Sequence, residues 1–456
     1  MNDTKTILIP IFQGVEARNI LRTDIFKKLK ENENIKIVFL VPSEYKFEYY
    51  KKEFGEDDLL KFEIFDNFKK SFLEKLFSKF KIYLLKTKTM DIKRRLRLNN
   101  YKNYPRYVIS FLFNRIVARN FFIKIIRFLD YRLVRDNNFK NLFDKHKPDL
   151  VFLAHLFGDD EISILREAKK RKIKTVGFIN SWDKLTSRCI LRISPDWLIV
   201  PNEITKKEAI KYQNINEKKI FISGPPQFDV YKQYKNYLNK EEFCRKYEID
   251  PSKKIILFCP TGKSFGDFDW RIIETLNDLY KDKKISQDLH FIVRFPPNDV
   301  VDTEDNINKS IFSFQTPGVR FSSKRGVDWD MTDEDIELLV DTLYNSSLVI
   351  CFWSTMSIDS AILNKPIINI NFSYEDGFAI NDSFYHYNTT HYKELSKHKG
   401  IKLVKNRQEL IDSINDYLEN PNLDKIGRMS IVNEQVWKSD GKAGERIANF
   451  LVKLMK

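Results

Sequence analysis

Residues 347–371, SLVICFWSTMSIDSAILNKPIININ, read as strand, turn, short helix and strand. Leu348 to Phe352 is an unbroken apolar run, as in a parallel strand covered on both faces. Ser354, Thr355 and Ser357 follow at the start of a helix. Small hydroxyls cap the free N–H groups there, and such a helix start suits an anion. Asp359 to Asn364 continue the helix, Lys365-Pro366 ends it, and Ile367 to Ile370 is the next strand. The stretch is a βαβ unit. Its polar turn lies at the carboxyl end of the first strand, where open α/β sheets bind ligands.

The same grammar extends outward. A chain of 456 residues is too long for one ordinary core, so two domains are expected. Strands are predicted at Thr6–Phe12, Ile35–Val41, Phe62–Phe65, Pro148–Ala154, Thr175–Ile179, Trp197–Val200 and Ile220–Ile222. A second series falls at Lys254–Cys259, His290–Phe295, Ile367–Ile370 and Leu403–Val404. The fold class is α/β, with two Rossmann-like domains. Residues 1–230 form the first and 238–430 the second, with a linker at Gln227–Tyr237 and a closing C-terminal helix over 431–456.

One region departs from this grammar. Between Asp66 and Lys147 there are 22 lysines and arginines against 6 acidic residues, so this region carries the whole of the chain's +15 charge. It is helical in pattern, broken at Pro105, and rich in Phe, Ile and Leu. Arg115, Arg119, Lys124 and Arg127 interrupt its most apolar part, Tyr107–Leu129. That excludes a spanning helix and suits one lying at an interface. The region reads as a basic helical insertion in the first domain, resting on an anionic membrane surface. It carries no nucleic-acid-binding motif, so no nucleic-acid partner is expected.

The four cysteines lie far apart and read as reduced thiols of a cytoplasmic protein. MNDTKTILIPIF runs straight into a strand without the pattern of a secretory signal. The turn Thr261-Gly262-Lys263-Ser264 ends like a P-loop, but Leu257 stands where the upstream glycine is required, which excludes a P-loop nucleotidase.

Four segments, taken together in order and spacing, resemble bacterial glycosyltransferases of the GT-B architecture that build cell-surface polysaccharides. They are Asn180 to Ser187 (NSWDKLTS), Gly224 to Asp229 (GPPQFD), Ser354-Thr355-Met356-Ser357 with Asp359, Ala361 and Lys365-Pro366, and Asn388 to Tyr392 (NTTHY). The resemblance spans about residues 5 to 420. It implies two Rossmann-like domains facing a cleft, with the nucleotide-sugar donor on the C-terminal one and a glycan or lipid-linked acceptor on the N-terminal one.

On the donor side it implies Ser354, Thr355, Ser357, Asp359, Thr261, Gly262, Lys263, Arg294 and His391. Hydroxyls and N–H groups at helix starts neutralise a diphosphate, and a cation assists them. Phe295-Pro296 replaces the family's usual His-Pro pair beside Arg294. On the acceptor side, transfer with inversion needs one general base. Glu16, Asp183 and Asp160 are the candidates, with Arg18, Asn19, Arg22, His155 and Trp182 as acceptor contacts. Retaining members carry an acidic pair whose first member would fall at Cys351, which favours inversion. No acidic cluster stands where a metal-dependent enzyme needs one, so no metal and no cofactor are expected beyond the donor substrate.

The expected function is therefore transfer of a sugar from a nucleotide-activated donor to a surface glycan or lipid-linked acceptor. The expected location is the inner face of the cytoplasmic membrane. The alternatives are a nucleotide-sugar 2-epimerase or polyol-phosphate transferase on the same scaffold, and a non-catalytic membrane- or polyanion-binding protein.

Overall fold

A computed structural model describes residues 4–262, 268–297, 310–322, 328–372 and 385–456. The chain forms two compact units, one of Met1–Asp229 with Lys442–Lys456 and the other of Val230–Gly441.

The first unit is built on seven parallel strands: β1 (Lys5–Pro10), β2 (Ile35–Val41), β3 (Leu60–Ile64), β4 (Leu150–Leu153), β5 (Lys174–Phe178), β6 (Trp197–Val200) and β7 (Ile220–Ile222). Their order is β3-β2-β1-β4-β5-β6-β7. The apolar runs have a direct cause. Alternate side chains leave opposite faces of a strand, and both faces are buried here. Ile7, Ile9, Phe39 and Phe152 fill one core. Leu8, Val38, Leu40 and Val151 fill the other.

The second unit repeats the plan with β8 (Lys254–Cys259), β9 (Leu289–Arg294), β10 (Phe312–Gln315), β13 (Ser346–Cys351), β14 (Ile367–Ile370) and β15 (Lys402–Val404). Their order is β10-β9-β8-β13-β14-β15, all parallel. A two-stranded antiparallel pair, β11 (Val319–Arg320) and β12 (Trp329–Asp330), is separate. β10 to β12 are too short and polar to have been read from the sequence.

The chain's end differs from a single closing helix. Lys425–Gln435 belongs to the second unit, while Ala443–Met455 returns to the first. There Ile447, Ala448, Leu451 and Met455 enter the β-sheet core. The Asp229 carboxylate accepts the Ala443 and Gly444 N–H groups at 3.0 and 2.7 Å, satisfying two donors of that helix start.

The helical insertion lies between β3 and β4 as Phe72–Tyr83, Lys88–Tyr101, Tyr104–Val117 and Asn120–Leu133. The apolar run Tyr107–Leu129 is broken at Ala118-Arg119. Pro105 stands at the start of a helix, where its missing N–H has no intrahelical role.

The insertion is fastened by a buried ionic network. Arg166 meets Asp130 at 2.8 Å and Asp136 at 2.6 Å. Arg192 meets Asp130 at 2.6 Å and also pairs with Glu74. Buried charges persist only when paired in this way. Three of the region's acids are thus turned inward, which leaves its outer surface more basic than its composition. Among the described residues, no helix is long and apolar enough to cross a membrane.

Candidate functional site

Each sheet has a switch point, where successive strands turn to opposite sides and leave a crevice at their carboxyl ends. In the first unit it lies between β1 and β4, in the second between β8 and β13. Part of the sequence-predicted set lies at these two places: Glu16, His155 and Asp160 at the first, Thr261, Gly262, Ser354 and Thr355 at the second.

At the first switch point the loop after β1 supplies Glu16. Its Oε2 accepts the Phe12 and Gln13 N–H groups at 2.6 and 3.1 Å. The loop after β4 supplies His155, whose Nδ1 lies 2.9 Å from Glu161 Oε1. One ligand atom from each of Glu16, His155 and Glu161 lies within 4.8 Å of the others, and all three residues are buried. Asp160 is half-buried beside them.

Crowding governs the electrostatics. Burial, followed by the Glu161 charge, pushes the Glu16 carboxyl well up, and Lys184 opposes this. Burial and the Glu161 carboxyl push Asp160 up to about 8. Burial also depresses the Lys184 ammonium and holds His155 well below its ordinary value.

After β5, Asp183 is half-buried. Its two carboxylate oxygens accept the Ser181 and Ser187 hydroxyls at 2.5 and 2.7 Å. Trp182 beside it is half-buried. The remaining acceptor-side residues do not converge on this crevice. Asn19 donates to the Val15 carbonyl of its own helix. Arg22 pairs with Glu53 at 2.6 Å and reaches Tyr49. Arg18 is half-buried on the same helix.

At the second switch point, Ser354 and Thr355 are half-buried in the turn after β13. The Ser354 hydroxyl accepts the Met356 N–H at 3.2 Å, and the Thr355 side chain makes no cap bond. Ser357 and Asp359, expected beside them, face inward. The Ser357 hydroxyl lies 3.5 Å from both Cys351 Sγ and Tyr392 OH. Asp359 accepts the Tyr231 hydroxyl at 2.6 Å. The reason is coverage: the helix Met356–Ile362 lies between the sheet and the helix Lys425–Gln435. Burial pushes the Cys351 thiol up to about 12, so it is a neutral core group.

After β8, the Thr261 and Gly262 N–H groups are taken at 3.0 and 2.7 Å by Asp269, a partner that sequence reasoning missed. Lys263 lies outside the described residues. Arg294 is buried and donates to Gln315 and to the Asp335 carbonyl, so it ties β9 to its neighbours. His391 is half-buried with Nε2 3.4 Å from the Thr389 hydroxyl.

Glu161 and Lys184 were also missed as site residues. Asp159-Asp160-Glu161 carries the ordinary signature of acids in a helix's first turn. Only the neighbouring β1 loop reveals that Glu161 points elsewhere.

Two doubly wound parallel sheets, each with a polar crevice at its switch point, define the two-Rossmann architecture of nucleotide-dependent transferases and epimerases. The UDP-GlcNAc 2-epimerase from Neisseria meningitidis shares the fold at a TM-score of 0.54 and 14% identity, over 98% of this chain and 100% of that one. The wall teichoic acid polymerase TagF does so at 0.53 and 13%, over 99% of this chain and 89% of the other. The chain belongs to the CDP-glycerol:poly(glycerophosphate) glycerophosphotransferase family, which matches residues 183–453. It is 25% identical over 260 residues to the teichoic acid poly(ribitol-phosphate) polymerase of Bacillus spizizenii strain W23, covering 56% of this chain and 37% of that protein. The chain thus spans little more than a third of that relative's length.

Proposed function

We propose that this chain transfers a polyol phosphate from a cytidine diphosphate-linked donor to the growing end of a cell-surface polymer. The observation that carries this reading is the family match over residues 183–453. That stretch contains both Asp183 and the Ser354-Thr355 turn. The TagF structure, solved after soaking with CDPG, shares the fold. This takes up the polyol-phosphate transfer that the sequence offered as an alternative to sugar transfer. Epimerisation has only the common fold in its favour.

In this reaction the acceptor hydroxyl oxygen attacks the β-phosphorus of the donor. The bond from that phosphorus to the bridging oxygen breaks, and CMP leaves with the α-phosphate. The acceptor proton passes to Asp183, whose half-exposed carboxylate is fixed by two hydroxyls. Glu16 suits this role less well, being 1% exposed and held by two backbone N–H groups. In the second unit, the Ser354 and Thr355 hydroxyls hold the donor diphosphate.

The discriminating experiment uses CDP-glycerol and CDP-ribitol labelled at the β-phosphate, with a lipid-linked or synthetic polymer acceptor. The label is expected in the polymer, with one CMP released per transfer. Release of an intact nucleoside diphosphate from a nucleotide sugar, with no CMP from either polyol donor, overturns the reading.

The helical insertion supplies the second part of the proposal, a seat on an anionic membrane. Its outer faces expose Ile109, Leu112, Ile116, Phe121 and Phe128 at 55–68%. Arg106, Arg119 and Lys124 are exposed among them. Apolar side chains enter the headgroup boundary while cations meet anionic lipid. The chain is expected to float with phosphatidylglycerol vesicles. The double substitution I109E/F121E is expected to abolish flotation without changing the circular dichroism spectrum. Flotation equal to wild type removes this surface from the model of action.

A further inference from the structure

We propose that Glu16, His155 and Glu161 form a binding site for one divalent first-row transition ion, tying the loop after β1 to the loop after β4. Their ligand atoms already lie within 4.8 Å of one another. Ligands about 2.1 Å from a common ion stand roughly 3–4 Å apart, so small side-chain rotations close the site.

Two further observations point to a ligand. First, among the described residues Glu16 Oε1 has no hydrogen-bond partner, although the residue is 1% exposed, and the Glu161 carboxylate beside it bonds only with the Asp160 carboxyl and His155. The other oxygen of Glu16 is committed to backbone N–H groups, so Oε1 is the one left for a cation. A buried carboxylate oxygen without a partner is costly. Lys184, the nearby ammonium, is buried as well, and its Nζ makes no hydrogen bond to either carboxylate. One divalent ion satisfies the orphan Glu16 oxygen and neutralises the Glu161 carboxylate beside it.

Second, the loop is shaped around the carboxylates. A Cβ on Gly158 would lie 1.8 Å from Glu161 Oε2 and 2.5 Å from Asp160 Oδ1. A larger residue there would push these two carboxylate ends away from their present positions. One imidazole and two carboxylates form a set of hard and borderline donors without sulfur, which suits manganese, iron(II) or zinc and disfavours copper(I).

This site stands apart from the identity of the transferred group. A chain that binds the ion yet transfers nothing refutes the transferase reading alone. A chain that transfers without the ion refutes this one alone.

The test uses the full chain stripped with a chelator and titrated with Mn2+ and, separately, Zn2+. One equivalent per chain is expected after gel filtration. Electron spin-echo spectra of bound Mn2+ are expected to show coupling to one imidazole nitrogen. H155N should remove that coupling. E16Q and E161Q should each weaken binding at least tenfold, whereas E63Q, at an acid remote in sequence, should leave it unchanged. The wild-type spectrum decides the matter even where a variant fails to fold. No retained equivalent, no nitrogen coupling, or variants that bind like wild type overturn the proposal.

Discussion

At the scale of single residues, the turn after β13 separates two kinds of polar side chain that look alike in sequence. Ser354 and Thr355 are half-buried at the strand end, while Ser357 and Asp359 are bonded within the core. Their substitutions should therefore fail differently. S354A/T355A is expected to weaken donor-nucleotide affinity about tenfold, two hydrogen bonds of about 0.5–1.5 kcal/mol each, with little change in stability. D359A is expected to cost about 1–3 kcal/mol of stability, because the Tyr231 hydroxyl loses its buried acceptor. Calorimetric titration with the nucleotide, beside urea denaturation, separates the two. Affinity loss in D359A at unchanged stability contradicts the interior placement. The presence of these hydroxyls was legible in the sequence. Their direction was not, because a seven-residue helix with neighbours on both sides has no outward face to predict.

At the scale of elements, β9 carries a pH-sensitive group outside either crevice. His290 is 5% exposed and lies 3.0 Å from the Ser313 hydroxyl of β10. Burial lowers it to about 4 from an ordinary 6.5. Between those values the unfolded chain holds the proton and the folded chain does not. Stability from this group is thus fully present above pH 6.5 and is lost as pH falls towards 4, by up to about 3 kcal/mol. The urea midpoint should drop between pH 7 and pH 4.5, and H290N should flatten that slope. An unchanged slope in H290N places the acid sensitivity elsewhere. The strand itself was readable from its apolar run. The pairing with β10 was not, since residues 312–315 are too few to give a period.

The helical insertion teaches a related lesson. Its charge and the break beside Pro105 were legible in the sequence, while the break at Ala118-Arg119 was not. Its anchoring by Arg166 and Arg192 was not, because those arginines come from outside the region.

At the scale of the whole molecule, the chain leaves the first unit after Asp229 and comes back at Lys442. The last helix therefore stabilises the unit that contains the N-terminus. L451A, at a fully buried position of that core, is expected to cost about 2–5 kcal/mol. Hydrogen exchange should locate the loss in β1, β2 and the helix Asp24–Lys30, with the second sheet's protection unchanged. Equal loss of protection in β8 and β13 contradicts this division.

The sequence alone determined most of the two series of parallel strands, the basic insertion within the first of them and the polar turns at strand ends. Each is written in local periodicity and composition, which short-range physics reads directly. Only the tertiary structure decided that β1 lies beside β4 and β8 beside β13. Strand order rests on pairings such as Ile7 with Leu150 and Leu257 with Val349, far apart in the chain, which leave no local pattern. That order brings Glu16 to His155 and Glu161, turns the Asp159-Asp160-Glu161 run from a helix-start signature into part of a buried cluster, and draws Ser357 and Asp359 into the core.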